Sequence, residues 1–461
     1  MKKLSYLLLF ITCFVNAQCY QKISTGDAHV VILKPDNTIW GFGSSQAGEL
    51  SFQSGDYTLI PSSVSNLEIW KDVFGGFLRS FFIKQDGTLW GTGFNSFGCL
   101  GINSTLGSTK VITQIGTANN WLKIASSPTH TVGLKEDGTL WGWGQNNDYE
   151  LGQGQGNNYM SQLIPIQIGT DNHWMDVAVT DTGTIALKND GTFWGCGFNS
   201  NVIVGFLGNY VHTLSQGHSE NWSKIQAGSF FILAQKIDGT LWAWGSGAFG
   251  QNGNGQYSGS LTPFQITSDT WKDFAAGSLR AYGIKTDGTL WAWGRNQEGQ
   301  LGDGTFENRN VPTQVGVDTN WDRIYAKGNT TTVGVKTDGS IWVWGDNTFG
   351  QFGNGTLNQG SAVPLQNNML CNLSVSNPDA MAFNVSLLPN PAQDQLQFTY
   401  NELPNASLEV IDLNGRVVYK TKTIGFSGTL SLPVSHWNRG IYIFKITAEN
   451  YGIYTEKIVL Q

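Results

Sequence analysis

One short pattern recurs seven times along the chain and limits what it can fold into. It reads LKPDNTIWGFG from Leu33, IKQDGTLWGTG from Ile83, LKEDGTLWGWG from Leu134 and LKNDGTFWGCG from Leu187. It continues as QKIDGTLWAWG from Gln235, IKTDGTLWAWG from Ile284 and VKTDGSIWVWG from Val335. The turn aspartates Asp36, Asp86, Asp137, Asp190, Asp238, Asp287 and Asp338 are separated by 50, 51, 53, 48, 49 and 51 residues. So steady a period marks a repeat architecture.

Each copy predicts a β-hairpin. Asp-Gly between two β-prone runs signals a tight primed turn, because glycine reaches positive φ at little cost. After the turn the side chains alternate, with Trp242 and Trp244 on one face and Leu241, Ala243 and Gly245 on the other. The small residues admit a neighbouring sheet while the indoles fill space opposite. A second aromatic marker leads a further strand: Trp70, Trp121, Trp174, Trp222 and Trp271 lie 16 residues before their aspartates, and Trp321 one residue further out. Tyr20 takes this place in the first copy. The two markers absorb 17 of the 18 tryptophans, all but Trp437, so periodic packing explains the indoles better than a carbohydrate-binding surface. With a Gly-rich loop and a Pro-containing strand such as 311–315, each period holds four strands. The expected fold is all-β: a seven-bladed β-propeller over residues 18–372, followed by a smaller β domain.

The string Trp-Ala-Trp-Gly-Arg-Asn-Gln-Glu-Gly-Gln-Leu-Gly at 291–302 resembles the regulator of chromosome condensation repeat, and returns with changes at 141–152, 242–253 and 342–353. The family's Gly-x-x-His element survives at Gly26–His29, with Arg79, His130 and Arg280 at the matching place elsewhere. The fourth copy departs most, losing Gly-Gln-Leu-Gly after Gly197. The resemblance implies a propeller that recognises partners through loops on one face. The family's founder acts on a small GTPase at chromatin, a role that export from the cell makes implausible here.

Export is read from the first residues. Met1-Lys2-Lys3, an apolar run from Tyr6 to Val15 and the small residue Ala17 form a signal peptide, 1–17, too short to anchor in a bilayer. Gln18 before Cys19 does not suit a lipoprotein signal. Loss of Lys2 and Lys3 leaves 25 basic against 34 acidic residues, a net charge of −9. An acidic chain with no basic run offers nucleic acid nothing to hold.

Beyond a polar linker, 373–384, the pattern changes. Pro389-Asn390-Pro391, Asp412-Leu413-Asn414-Gly415-Arg416-Val417-Val418 and Gly440-Ile441-Tyr442 occur among short alternating strands over 385–461. The alternation suggests a small β-sandwich. The motifs resemble the type A C-terminal sorting domain of the type IX secretion system, which implies the secretion machinery as a partner and a secreted or outer-surface location after Sec export. Cys19 and Cys371 flank the repeats, where a closed ring brings them together, so they are expected to form a disulfide. Cys99 and Cys196 are expected as free or buried thiols.

No catalytic motif is present, and the six histidines show no metal-ligand spacing. The expectation is a monomeric, non-catalytic recognition module without a cofactor or metal, binding an extracellular protein or glycan. A secreted polysaccharide hydrolase or lyase is the alternative. The candidate anchors are the aromatics placed before the Gly-Gln-Leu-Gly element, Phe97, Tyr149, Phe249 and Phe349. Phe206 and Tyr210 in the irregular fourth loop and Tyr257 join them.

Overall fold

The structure, a computed structural model, describes residues 19–460 apart from 53–54, 66–67, 155–159, 200–207, 219–220, 358–359, 370–383, 389–391, 402–405, 413–415, 423–426 and 449–451. The expected signal peptide, the linker up to residue 383, Cys371 and Phe206 therefore lie outside the described residues, while Asn384, expected to end the linker, begins a strand. The chain divides into two compact units, Met1–Cys371 and Asn372–Gln461.

Antiparallel four-stranded sheets build the first unit, each following the repeat. In the first, Lys22–Thr25, His29–Leu33, Ile39–Ser44 and Tyr57–Ser63 pair in chain order. Five sheets have four strands and one has seven, in which the 17-residue strand Ser260–Ala276 ends the fifth repeat and begins the sixth.

The recurring motif is a hydrogen-bonded relay. Asp86 Oδ1 accepts the Thr88 backbone N–H at 2.9 Å and its hydroxyl at 2.6 Å, and Thr88 Oγ1 accepts the Trp90 indole N–H at 2.9 Å. The same geometry recurs at Asp36, Asp137, Asp190, Asp238 and Asp287, so turn formation occupies these carboxylates. The lysine two residues before each aspartate covers the indole six residues after it at 3.4–3.9 Å from the ring centroid in all seven copies, a cation–π contact. The turn itself differs from the two-residue primed form expected. Gly87 N–H donates to Lys84 O and Lys84 N–H to Thr88 O. Only the glycine has positive φ, 82° at Gly87. This is the longer hairpin with a left-handed glycine at its end.

The core is distributed between sheets. Leu241 and Ala243 pack against Trp271, Phe274 and Trp293 of the next repeat, while Trp244 packs backwards against Ile185, Leu187 and Phe193. One such cluster joins each pair of successive repeats, and another joins the first to the last through Tyr20, Ile23, Phe42, Val333, Val343 and Phe352. Trp70, Trp121, Trp222 and Trp321 are fully buried, as the periodic-packing reading of the indoles requires.

In the second unit Asn384–Leu388, Gln395–Asn401 and Ser427–Pro433 form one sheet. Val417–Lys422, Ser407–Asp412, Gly440–Ala448 and Gly452–Leu460 form the other. Leu396, Phe398 and Leu432 of the first share a core with Leu408, Val410, Phe444 and Ile458 of the second.

Candidate functional site

The turns between the first and second strands and the long loops between the third and fourth lie at one end of each sheet. Phe94 N–H, for example, donates to Leu78 O at 2.8 Å. In the sixth and seventh repeats the long loop is folded on itself by two of its motif residues. Asn296 Oδ1 accepts the Leu301 N–H at 2.9 Å and Gln300 Oε1 the Glu298 N–H at 2.8 Å; Asn347 and Gln351 repeat this with Phe352 and Phe349. The glycines let the loop touch the next repeat. A Cβ on Gly302 (φ 76°) would stand 2.7 Å from Trp344, and one on Gly353 2.7 Å from Phe42 of the first repeat. Hence the Gly-Gln-Leu-Gly element is an inter-repeat latch, and the residue ahead of it projects from a fixed backbone.

Phe97 is 49% exposed, while Phe249 and Phe349 are half-buried. Tyr149 is half-buried too, but it stands one place later than expected. It replaces the first glycine of the element and takes that glycine's positive φ, 64°. Tyr149 and Tyr210 are brought together, ring centroids 5.7 Å apart, with His212 4.1 Å from Tyr149 and Phe198 5.3 Å from Tyr210. Phe97, Phe249 and Phe349 stand on separate repeats. Tyr257 is 55% exposed, and its hydroxyl donates to Asn308 O of the next repeat at 3.2 Å. Sequence reasoning missed its counterparts. Tyr257, Phe306 and Leu357 lie 15 residues after Trp242, Trp291 and Trp342 respectively, and Phe306 and Leu357 are 64% and 50% exposed.

A second feature was also missed. Two residues past each strand-leading aromatic stand Lys22, Asp72, Lys123, Asp176, Lys224, Asp273 and Arg323, alternating in sign from repeat to repeat. Register shifts beside Trp70, Trp174, Trp222, Trp271 and Trp321 accompany this position, as β-bulges re-aim a side chain. Lys22 meets Asp72 at 2.5 Å, Lys224 meets Asp273 at 2.8 Å, and Lys123 pairs with Asp176. Seven is odd, so Arg323 turns to its neighbour Asp322 at 3.7 Å.

Lys22, Lys123, Asp176 and Lys224 line a central cavity of about 270 Å³. A smaller cavity of about 110 Å³, edged by Asp27, Asp181, Ser229, Ser278 and Asn329, lies among the first-to-second strand turns. The two share Val179, Ala227 and Lys327 in their walls. Burial raises the Asp27 and Asp181 carboxyls above the usual range, offset by hydrogen bonds from Asn329 and Ser229.

The Gly-x-x-His place staples repeats together. His29 Nε2 and Ser80 Oγ are 2.9 Å apart. Arg79, fully buried, donates to Ser126 Oγ, Ser127 O and Pro128 O at 2.7–3.0 Å. Arg280 donates to Gly328 O, Asn329 O and Thr331 O. Burial, with Arg79 and Lys327 nearby, holds His130 down at about 3.

Cys99 and Cys196 are free and buried, and burial pushes the Cys196 thiol up to about 12. Among the described residues no group of three or more His, Cys, Asp or Glu side chains is placed to hold a metal ion. No described helix is long and apolar enough to cross a membrane.

Comparison with known proteins agrees with this geometry. Residues 137–187, 238–279 and 287–325 match the Regulator of chromosome condensation (RCC1) repeat, a second description of that repeat matches 121–150, 271–300 and 324–351, and 386–461 match the Secretion system C-terminal sorting domain. The protein is thus one that carries RCC1-type repeats of the β-propeller kind. More particularly, it is one whose repeats are followed by a type IX sorting domain, which implies a secreted or cell-surface protein.

The chain is 26% identical over 249 residues to the RCC1 domain-containing protein RUG3, mitochondrial, of Arabidopsis thaliana, covering 50% of this chain and 55% of that one. It is 25% identical over 252 residues to the Ultraviolet-B receptor UVR8 of the same plant, covering 53% and 46%. It therefore spans about half the length of these relatives. Yeast RCC1 (Prp20), solved bound to Kap60, shares the fold with a TM-score of 0.64 at 17% identity, over 80% of this chain and 90% of that one.

Proposed function

We propose that residues 19–370 form a closed seven-bladed ring, the seven-stranded sheet being two blades that share a strand. This ring is a non-catalytic recognition module that binds an extracellular protein or glycan at its long-loop end. The observation that supports this most is the run of exposed apolar side chains on consecutive latched loops, Tyr257, Phe306 and Leu357. Large apolar side chains on a fixed backbone bind at little entropic cost. The mature wild-type chain should retain a ligand from extracellular proteins or a polysaccharide array, and a folded Tyr257→Ser/Phe306→Ser chain should lose it by roughly tenfold or more, as expected for anchor side chains. Equal retention by both chains would place the site elsewhere.

The alternative is hydrolysis or lyase action on a polysaccharide. It would draw on Asp27 and Asp181, which line one cavity, and release of new chain ends by the wild type but not by Asp181→Asn would establish it. The C-terminal β-sandwich is an export address. Removing 385–461 should leave the propeller in the periplasm, and normal levels in the medium would refute that role.

A further inference from the structure

Lys327 is out of place in its own repeat. Counting six residues from the strand-leading aromatic, the other repeats carry Gly26, Gly76, Ser127, Thr180, Gly228 and Gly277. The seventh carries Lys327, and the one-residue excess between Trp321 and Asp338 falls in the turn that follows it, before Thr331 pairs with Gly345. The backbone of this turn is held: Lys327 N–H donates to Thr25 Oγ1 at 2.9 Å, and Arg280 grips the carbonyls of Gly328 and Asn329. A long cationic side chain thus occupies the wall between the two cavities, at a place where the other six repeats carry glycine, serine or threonine.

Asp27 and Asp181 edge the smaller cavity and Asp176 the larger, but Asp176 is taken by Lys123 and neither of the others pairs with Lys327. Among the described residues the Lys327 ammonium has neither an ion pair nor a hydrogen bond. The charges that act on it most are the cations of Lys123 and Arg79. Lys123 is matched by Asp176, but the acceptors of buried Arg79 are hydroxyl and carbonyl oxygens only. A half-buried ammonium within the field of a buried guanidinium that has no carboxylate partner is favoured by an anion that joins them. Burial, reinforced by those two cations, brings Lys327 down to about 7, as expected of an ammonium without an anion.

We propose that the wall at Lys327, facing the central cavity, binds a small oxyanion, a phosphate or a carboxylate. The cavity of about 270 Å³ on one side and about 110 Å³ on the other admits such a group. Lys327 supplies the charge, and the Arg79 guanidinium, which no carboxylate offsets, adds to the field.

The test is calorimetric titration of the full mature chain with inorganic phosphate and, separately, with citrate, at pH 6 and constant ionic strength. Saturable binding of either probe by the wild type is expected, and which one binds identifies the source of the oxyanion. Lys327→Met should weaken it roughly tenfold or more, the loss of one charge-assisted contact, while Lys327→Arg should retain it. Lys327→Gly restores the residue that four other repeats carry and serves if the methionine variant does not fold. Undiminished binding in the glycine or methionine variant, or no binding of either probe by the wild type, overturns the assignment.

Discussion

Replacing Arg280 with alanine should lower the stability of the repeat unit by about 4 kcal/mol, read as a fall in the urea midpoint with little change in slope. The guanidinium is 1% exposed, and its donors are spread across one junction. It reaches Gly328 O at 2.8 Å, Thr331 O at 2.9 Å and Asn329 O in the seventh repeat, and Tyr282 Oη at 3.0 Å within its own. Alanine leaves three carbonyls without that donor, and a buried acceptor left unpaired costs about 1–3 kcal/mol. It also opens a cavity beside Tyr282. Arg280→Lys keeps the charge but not the planar fork, so it should recover less than half of the loss. If alanine costs under about 1 kcal/mol, water fills the space and the staple is dispensable.

The legibility of this molecule in its sequence follows from where its constraints are local. Asp86, Thr88 and Trp90 lie within five residues of one another and interact with one another, so the hairpin can be read seven times over. The turn type escapes the sequence because Asp-Gly suits both a primed turn and a longer hairpin, and the choice rests on a backbone bond from Gly87 to Lys84. The candidate site is less legible, because it is made by juxtaposing repeats. The alternation of Lys22, Asp72, Lys123, Asp176, Lys224 and Asp273 is plain once the copies are aligned on their strand-leading aromatics, but its meaning requires the pairing of neighbours. Lys327 carries a signal too, the extra residue after Trp321, which only the turn's geometry makes into a site. Tyr149 reads one position early because the third copy has Tyr-Glu-Leu-Gly where the sixth has Gly-Gln-Leu-Gly.

That same third copy supplies the second large effect. Glu150 stands where Gln251, Gln300 and Gln351 stand in the last three repeats. It is fully buried, and its Oε2 accepts the Asp148 N–H at 2.9 Å. Burial, with the Asp148 carboxylate adding to it, outweighs such hydrogen bonds and pushes the Glu150 carboxyl from 4.5 up to about 7. A raised carboxyl means that the folded chain keeps a proton which the unfolded chain has already released. Stability therefore falls as pH rises from 4.5 to about 7, and the full penalty persists above that window.

Glu150→Gln removes the titration and keeps the acceptor that holds the loop. It also provides an amide N–H for Asp148, as Gln300 Nε2 donates to Glu298 Oε2 at 2.7 Å in the sixth repeat. The variant should be more stable than the wild type by about 3 kcal/mol at pH 8, with a gain that shrinks toward zero near pH 4.5. Thermal unfolding of both chains across that range decides it. A gain that does not change with pH would mean that the amide acts through packing and hydrogen bonding alone, and no gain at pH 8 would mean that water already solvates the Glu150 carboxylate.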